Sequence, residues 1–321
     1  MLWFQVNFDS GTWKALGIQY ANMDLSSFEL QAFWESLNPD LCISDYPFRN
    51  SPPSSFPDVH VTRSFRNLKE EGYFKTPALL PASTTSRLAA AVLKVVSAGF
   101  PAVFAVVYDE LWGLVRQVEQ IFILTLGAKY LLSPGDMWIW HVDQHGKSTG
   151  WGPHRDLLDT SCLRPDGSTR MLTVWIPLTD ASPLNSCMYL LPLHRDPDYP
   201  HNLANRSVGV DSLQNIRALP AGSGSLLGWT PMILHWGAHH SGHNVGPRTS
   251  VAFYLNDGGS DLGGGISVSE KTFVPFWYRL GAIGAMISLF DGSPLARDLR
   301  FPDSLKSVLK PYLDRVTQTV R

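Results

Sequence analysis

Between Gly127 and Asp257 the chain repeats one pattern roughly seven times: a short apolar run, then a turn built from Gly, Pro, Asp or Ser. The runs are KYLLS, MWIWHVD, RMLTVWIPL, CMYLLPL, GSLLGWT, MILHWGA and TSVAFYLND. Branched and aromatic side chains suit a pleated, half-buried surface, and the Gly, Pro and Asp between the runs read as turns. So many short strands in succession imply antiparallel pairing in a sandwich or barrel of the jelly-roll kind. The flanks read differently. STTSRLAAAVLKVVSAG has capping residues, helix formers and a glycine stop. PAVFAVVYDELWGLVRQVEQIFILTLG opens with proline and closes with glycine, which predicts one helix from Pro101 to Gly127. FVPFWYRLGAIGAMISLF and DSLKSVLKPYLDRV return to helix, with Pro311 as a kink. Before Ser83, SPPSSFP reads as loop. The expected class is α+β: a single domain over 1–321, a β core at about 128–257, and helical elaborations at 83–127 and 272–320.

The composition narrows the function. With 44% hydrophobic residues in 321, the chain can bury a large core. Its formal net charge of −2 gives no electrostatic case for nucleic acid or an anionic membrane. Cys42, Cys162 and Cys187 lack CxxC spacing, which argues against a disulfide framework or a structural zinc site and suits a reducing compartment. The start, MLWFQVNFDSGTWK, has no signal-peptide pattern, and Lys94 and Pro101 interrupt the longest apolar stretch. A cytoplasmic protein is the expectation.

GWGPHRD, at 150–156, carries the first chemical signal. His154 and Asp156 are two apart, so an extended backbone sends both side chains the same way. Two imidazoles and one carboxylate on one face hold Fe(II) and leave positions open for O₂ and substrate. HxD alone is also an ordinary surface turn. A third ligand must come from elsewhere, and LHWGAHHSGHNVGPR offers His235, His239, His240 and His243. His235 ends an apolar strand and is preferred; His239, in a polar loop, is the competitor. Arg248 and Ser250 share a strand face, where a buried guanidinium needs an anion and Ser250 offers a second donor. The alternative is a structural ion pair to a protein carboxylate. On RMLTVWIPL, Leu172, Val174, Ile176 and Leu178 form one face, while Thr173 and Trp175 form the other, available to line a cavity or fill the core. On MWIWHVD, Trp138 and Trp140 oppose Ile139 and His141, so His141 is either cavity-facing or a core histidine. Tyr108, Asp109 and Glu110 read as helix-orienting.

Taken in order, GWGPHRD, TVWIPLTDASPLNSCMYLLPLHRD, LHWGA and Arg248 resemble the phytanoyl-CoA dioxygenase family over roughly residues 67–257, including GYF…PALL and FAVVYDELW. That resemblance implies a double-stranded β-helix and an Fe(II)- and 2-oxoglutarate-dependent oxygenase that consumes O₂ and releases succinate and CO₂. It implies His154, Asp156 and His235 as iron ligands, Arg248 as the partner of the distal carboxylate of 2-oxoglutarate, and Trp175 beside that cosubstrate. Asn185, Cys187 and His194 fall at framework positions. Related halogenating enzymes have Gly or Ala where Asp156 stands, so the resemblance implies hydroxylation or another oxidation without halide. The interval from His235 to Arg248 is longer than the family's usual spacing, and LRPDGSTR is an insertion.

The substrate expected from the tryptophans is an apolar or planar small molecule. No basic cluster in sequence matches the phosphates of a CoA ester. Two other classes share these ligands: a non-catalytic metal- or ligand-binding module, and a zinc hydrolase, which leaves Arg248 and Ser250 without a role.

Overall fold

The computed structural model describes residues 25–143, 152–243, 245–259, 262, 264–291 and 301–319. Trp151, within GWGPHRD, and His145, just after MWIWHVD, lie outside the described residues. Three N-terminal helices, α1 (Gln31–Leu37), α2 (Asp58–Glu71) and α3 (Ala82–Ser97), flank strand β1 (Tyr73–Ala78). SPPSSFP is loop as expected, and α2, to which the sequence reading assigned no element, begins directly after it. The helix opens after Pro57 and ends at Gly72, whose φ of +84° provides the left-handed cap that lets the chain turn into β1.

The single helix expected over Pro101–Gly127 is instead three pieces: a 3₁₀ segment Ala102–Val107, helix α4 (Asp109–Gln117) and helix α5 (Glu119–Leu126). Tertiary partners break it. Tyr108 is extended at φ −89° and ψ 137°. There its hydroxyl meets Asn38 at 2.9 Å and the Trp34 carbonyl at 2.8 Å. The β-branched Val103, Val106 and Val107 are weak helix formers and bury as core residues. Asp109 then accepts from the Ser44 hydroxyl at 2.6 Å and pairs with Arg279 at 2.7 Å, both of them buried. Arg279 lies on α6 (Phe276–Phe290) and also donates to the Val107, Ser44 and Val274 carbonyls. Arg279→Ala strands a buried carboxylate and three acceptors. It is expected to cost about 3–5 kcal/mol, read as a lower urea midpoint.

Strands β2 (Leu131–Leu132), β3 (Trp138–Val142), β4 (Met171–Pro177), β5 (Met188–Leu191), β6 (Arg217–Leu219), β7 (Ser225–Trp229), β8 (Leu234–Gly237), β9 (Arg248–Asn256) and β10 (Ile266–Ser267) complete the β core. The larger sheet runs β1-β7-β4-β9-β2-β10, with β3 also on β9; the smaller runs β6-β5-β8. All pairs are antiparallel. His154 extends the smaller sheet by bridging to His235, with N–O distances of 3.0 and 2.9 Å. The central pairing, β3-β9-β4-β7 in one layer and His154-β8-β5-β6 in the other, is that of a double-stranded β-helix. The fold class is thus the α+β one expected, with α6 and α7 (Asp303–Thr319) flanking the core at its C-terminal side.

Strand alternation separates two interiors. Leu172, Val174 and Ile176 of β4, with Val251, Phe253 and Leu255 of β9, pack against the helices. Trp175, Leu227 and Trp229 point between the sheets, toward Met188 and Leu190. Gly228 allows close passage of β1, because a Cβ there would stand 2.3 Å from the Phe74 ring. Among the described residues, no helix is long and apolar enough to cross a membrane.

Candidate metal and cosubstrate site

His154, Asp156 and His235 converge between the two sheets, with one ligand atom from each lying within 4.8 Å of the others. The Asp156 Oδ1 is 3.6 Å from His154 Nε2 and 3.7 Å from His235 Nε2. Donors about 2.1 Å from a common ion in adjacent positions stand about 3 Å apart, so a small contraction closes the set. Local backbone prepares both imidazoles. His154 Nδ1 lies 2.8 Å from the Gly152 carbonyl and His235 Nδ1 lies 3.1 Å from the Ile233 carbonyl. A carbonyl only accepts, so each Nδ1 carries the proton and each Nε2 keeps its lone pair for a metal. Burial, and then the neighbouring His235, hold the His154 pKa well below the usual histidine range, so its ring is neutral and ready to ligate.

Thr173 donates its hydroxyl to Asp156 Oδ2 at 2.7 Å, leaving Oδ1 turned to the histidines. In the sequence Thr173 shares with Trp175 a face available to line a cavity; in the fold it lines that cavity and its hydrogen bond goes to the carboxylate of Asp156. Thr173→Val removes that bond at little change of volume. It is expected to weaken metal affinity about 10-fold or more, measured by competition with a chelator, with little loss of thermal stability.

Arg248 is a fully buried cation on the opening residue of β9. Its Nε donates to the Ser186 carbonyl at 3.0 Å, and its two terminal nitrogens donate to Ser250 Oγ at 2.7 Å and Ser186 Oγ at 2.9 Å. Among the described residues no carboxylate pairs with it. Burial lowers its pKa to about 10, and it therefore stays charged at neutral pH. Five N–H groups and three such bonds leave donors to spare. Ser250, expected as a second donor to the ligand, here accepts from the guanidinium. Ser186, which the sequence reading passed over, holds a left-handed φ of +77° while giving both its carbonyl and hydroxyl to Arg248. A strained non-glycine residue that locks a buried cation is a mark of a built site. The only sequence signal for it is its place in the PLNSC turn, which Asn185 braces by bonds to Ser182, Asp180 and Gly246.

A cavity of about 470 Å³ joins these parts, lined by His154, Asp156, Thr173, Trp175, His235 and Arg248. Trp175 lies with its ring centroid 5.7 Å from the Arg248 guanidinium carbon. Trp138, Trp140, Trp229, Tyr254 and Phe290 add aromatic wall, and Asp136 adds a second carboxylate. The Trp229 ring sits 4.7 Å from that of His235. Trp229 is among the tryptophans that suggested an apolar or planar substrate, whereas Asp136 was not anticipated; alternation along the strands becomes a cavity lining only once the sheets face one another.

Other sequence candidates lie elsewhere. His239 is exposed and outside the cluster. His141 is half-buried and bonds Thr249 Oγ1 at 2.9 Å. Arg155, between the two ligands, points away and pairs with buried Asp196 at 2.6 Å, as well as the Met232 carbonyl at 2.8 Å. All three cysteines are free, and Cys162 and Cys187 are buried.

Two histidines and one carboxylate converging on an aromatic cavity inside a double-stranded β-helix form the arrangement that non-haem iron oxygenases use. The phytanoyl-CoA dioxygenase (PhyH) family model matches residues 103–249. That stretch, which carries His154, Asp156, Thr173, Trp175, His235 and Arg248, is similar to this family of Fe/2-oxoglutarate-dependent oxygenases. Among solved structures, the non-heme alpha ketoglutarate dependent epimerase SnoN from nogalamycin biosynthesis is similar at TM-score 0.47 and 14% identity, over 68% of this chain and 93% of that one. EctD from S. alaskensis with 2-oxoglutarate and 5-hydroxyectoine is similar at TM-score 0.43 and 15% identity, over 67% and 82%. AviO1 from Streptomyces viridochromogenes Tue57 gives 0.45 and 12%, over 63% and 97%. No curated protein matches the sequence.

Proposed function

We propose that the protein is an Fe(II)- and 2-oxoglutarate-dependent dioxygenase that hydroxylates or otherwise oxidises a small organic molecule, with release of succinate and CO₂. The observation that carries the reading is Arg248: a fully buried cation to which no described residue offers a carboxylate, lining the same cavity as three converging metal-ligand atoms. A dicarboxylate cosubstrate supplies the missing anion at one end and an oxoacid chelate at the other.

Ferrous iron, when bound, supplies the redox chemistry that couples oxidative decarboxylation of 2-oxoglutarate to oxidation of the substrate. The chain's own residues do the rest. His154, Asp156 and His235 would hold the ion, with their tautomers and rotamers set by Gly152, Ile233 and Thr173. Arg248 would take the distal carboxylate in its planar fork, steadied by Ser186 and Ser250. Trp175 would wall the cosubstrate. Asp156 occupies the position that halide would need, which favours oxidation without halogenation.

The test is succinate release from 2-oxoglutarate by the iron-loaded protein under air, across a panel of small metabolites. Release that needs Fe(II), rises with a substrate and vanishes in His154→Ala is the expected outcome. Iron-loaded protein that binds no 2-oxoglutarate under anaerobic conditions would overturn the reading.

A further inference from the structure

The cavity contains a carboxylate for which iron and cosubstrate have no use. Asp136 closes the 3₁₀ turn Pro134–Asp136 that leads into β3. No described residue gives its carboxylate a hydrogen bond or an ion pair. The contrast with other enclosed acids is sharp. Asp109 pairs with Arg279, Asp196 with Arg155, and Asp257 with Arg164 and Arg170. Burial, and then the charge of Asp156, raise the Asp136 pKa to about 6, the signature of a carboxylate held without a counter-ion. Leaving it so is costly in the free protein unless something that binds there compensates.

The surroundings name the compensation. Trp138 and Trp140 follow Asp136 along β3, with ring centroids 5.5 Å apart. Phe290, from the end of α6, meets Trp138 edge-on at 4.5 Å. All three line the same cavity as Asp136. Aromatic faces attract cations, and rings beside a carboxylate are the usual recognition set for an ammonium group. The other cavity cations do not compete for this end. Arg248 is tied to Ser186 and Ser250, while Arg206 is exposed, where solvent screens it.

We propose that Asp136 and the Trp138–Trp140–Phe290 wall form the substrate-selecting end of the cavity, and that the molecule oxidised carries a positively charged nitrogen. The proposal rests on the oxygenase reading and adds a charge to the apolar or planar body expected from the tryptophans. Asp136 selects by pairing; it takes no part in the oxidation.

The test uses two probes of equal size and different charge, benzylammonium and benzyl alcohol, at neutral pH. Binding is read by quenching of tryptophan fluorescence in the full chain, since Trp138, Trp140, Trp175 and Trp229 line the cavity. The wild type is expected to bind benzylammonium at least tenfold more tightly. Asp136→Asn, checked for an unchanged melting profile, is expected to bring the two within about twofold. Equal affinities in the wild type, or a preference that survives in Asp136→Asn, would overturn the proposal. The same wild-type preparation, loaded anaerobically with Fe(II), is scanned for the charge-transfer absorption of bound 2-oxoglutarate. Its presence without ammonium preference sinks only the Asp136 proposal; its absence sinks the oxygenase reading and this proposal with it.

Discussion

Arg248→Met is expected to abolish 2-oxoglutarate binding while leaving the protein folded and almost as stable as the wild type. Two effects oppose each other in the free protein. Methionine removes a fully buried charge that no described carboxylate neutralises, which relieves a desolvation penalty. It also removes donors from the Ser186 carbonyl, Ser186 Oγ and Ser250 Oγ, each bond worth about 1 kcal/mol or somewhat more because the donor is charged. With volumes similar and hydroxyls free to rotate, the melting temperature should move by only a few degrees. Binding has no such compensation. Losing a buried guanidinium–carboxylate contact costs about 3 kcal/mol or more, so affinity for 2-oxoglutarate falls at least about 100-fold. Arg248→Lys should recover only part of it, since an ammonium cannot serve a carboxylate, Ser186 and Ser250 with one planar fork. Anaerobic calorimetry of the iron-loaded variants measures this. A variant that binds normally would return Arg248 to a structural role.

The second large effect separates two neighbouring histidines. His235→Ala is expected to reduce bound iron from about one equivalent to near zero, and His239→Ala to leave it unchanged. His235 is buried, bridged to His154 through backbone and oriented by the Ile233 carbonyl. His239, four residues on, is exposed. Asp156→Ala should behave like His235→Ala, because the two remaining imidazoles are weak holders of a hard ferrous ion. Metal content after dialysis, with melting curves to exclude unfolding, decides the matter. Iron lost from His239→Ala instead would move the third ligand to the loop.

Much of this was legible before any coordinates. Period-two alternation in RMLTVWIPL separated Thr173 and Trp175 from Leu172, Val174 and Ile176, and the fold keeps that division, with helices on one side and the cavity on the other. The HxD pair was legible because two residues apart on extended backbone is a local rule. The helix expected over Pro101–Gly127 shows where local rules fail. Proline and glycine bracket it as one helix, yet its valines are weak helix formers, and Asn38, Ser44 and Arg279, distant in sequence, pull Tyr108 and Asp109 out of register. Thr173 shows the same for chemistry: its cavity face was legible, but its hydroxyl went to Asp156 because β4 happens to pass that carboxylate.

What the sequence determined by itself is therefore everything that depends on neighbours along the chain. That covers the strand-rich core between helical flanks, the faces of β4 and β9, the paired ligands of HRD, and the turn that carries Asn185. Only the tertiary structure decided among residues that local pattern leaves equivalent. It brought His235 rather than His239 beside His154 and Asp156, set Ser186 beneath Arg248, and, among the described residues, gave neither that arginine a carboxylate nor Asp136 a counter-ion. The reason is physical. Periodicity fixes which way a side chain points relative to its own strand. The cost of a buried charge, by contrast, depends on what another strand, tens of residues away, brings within about 3 Å of it.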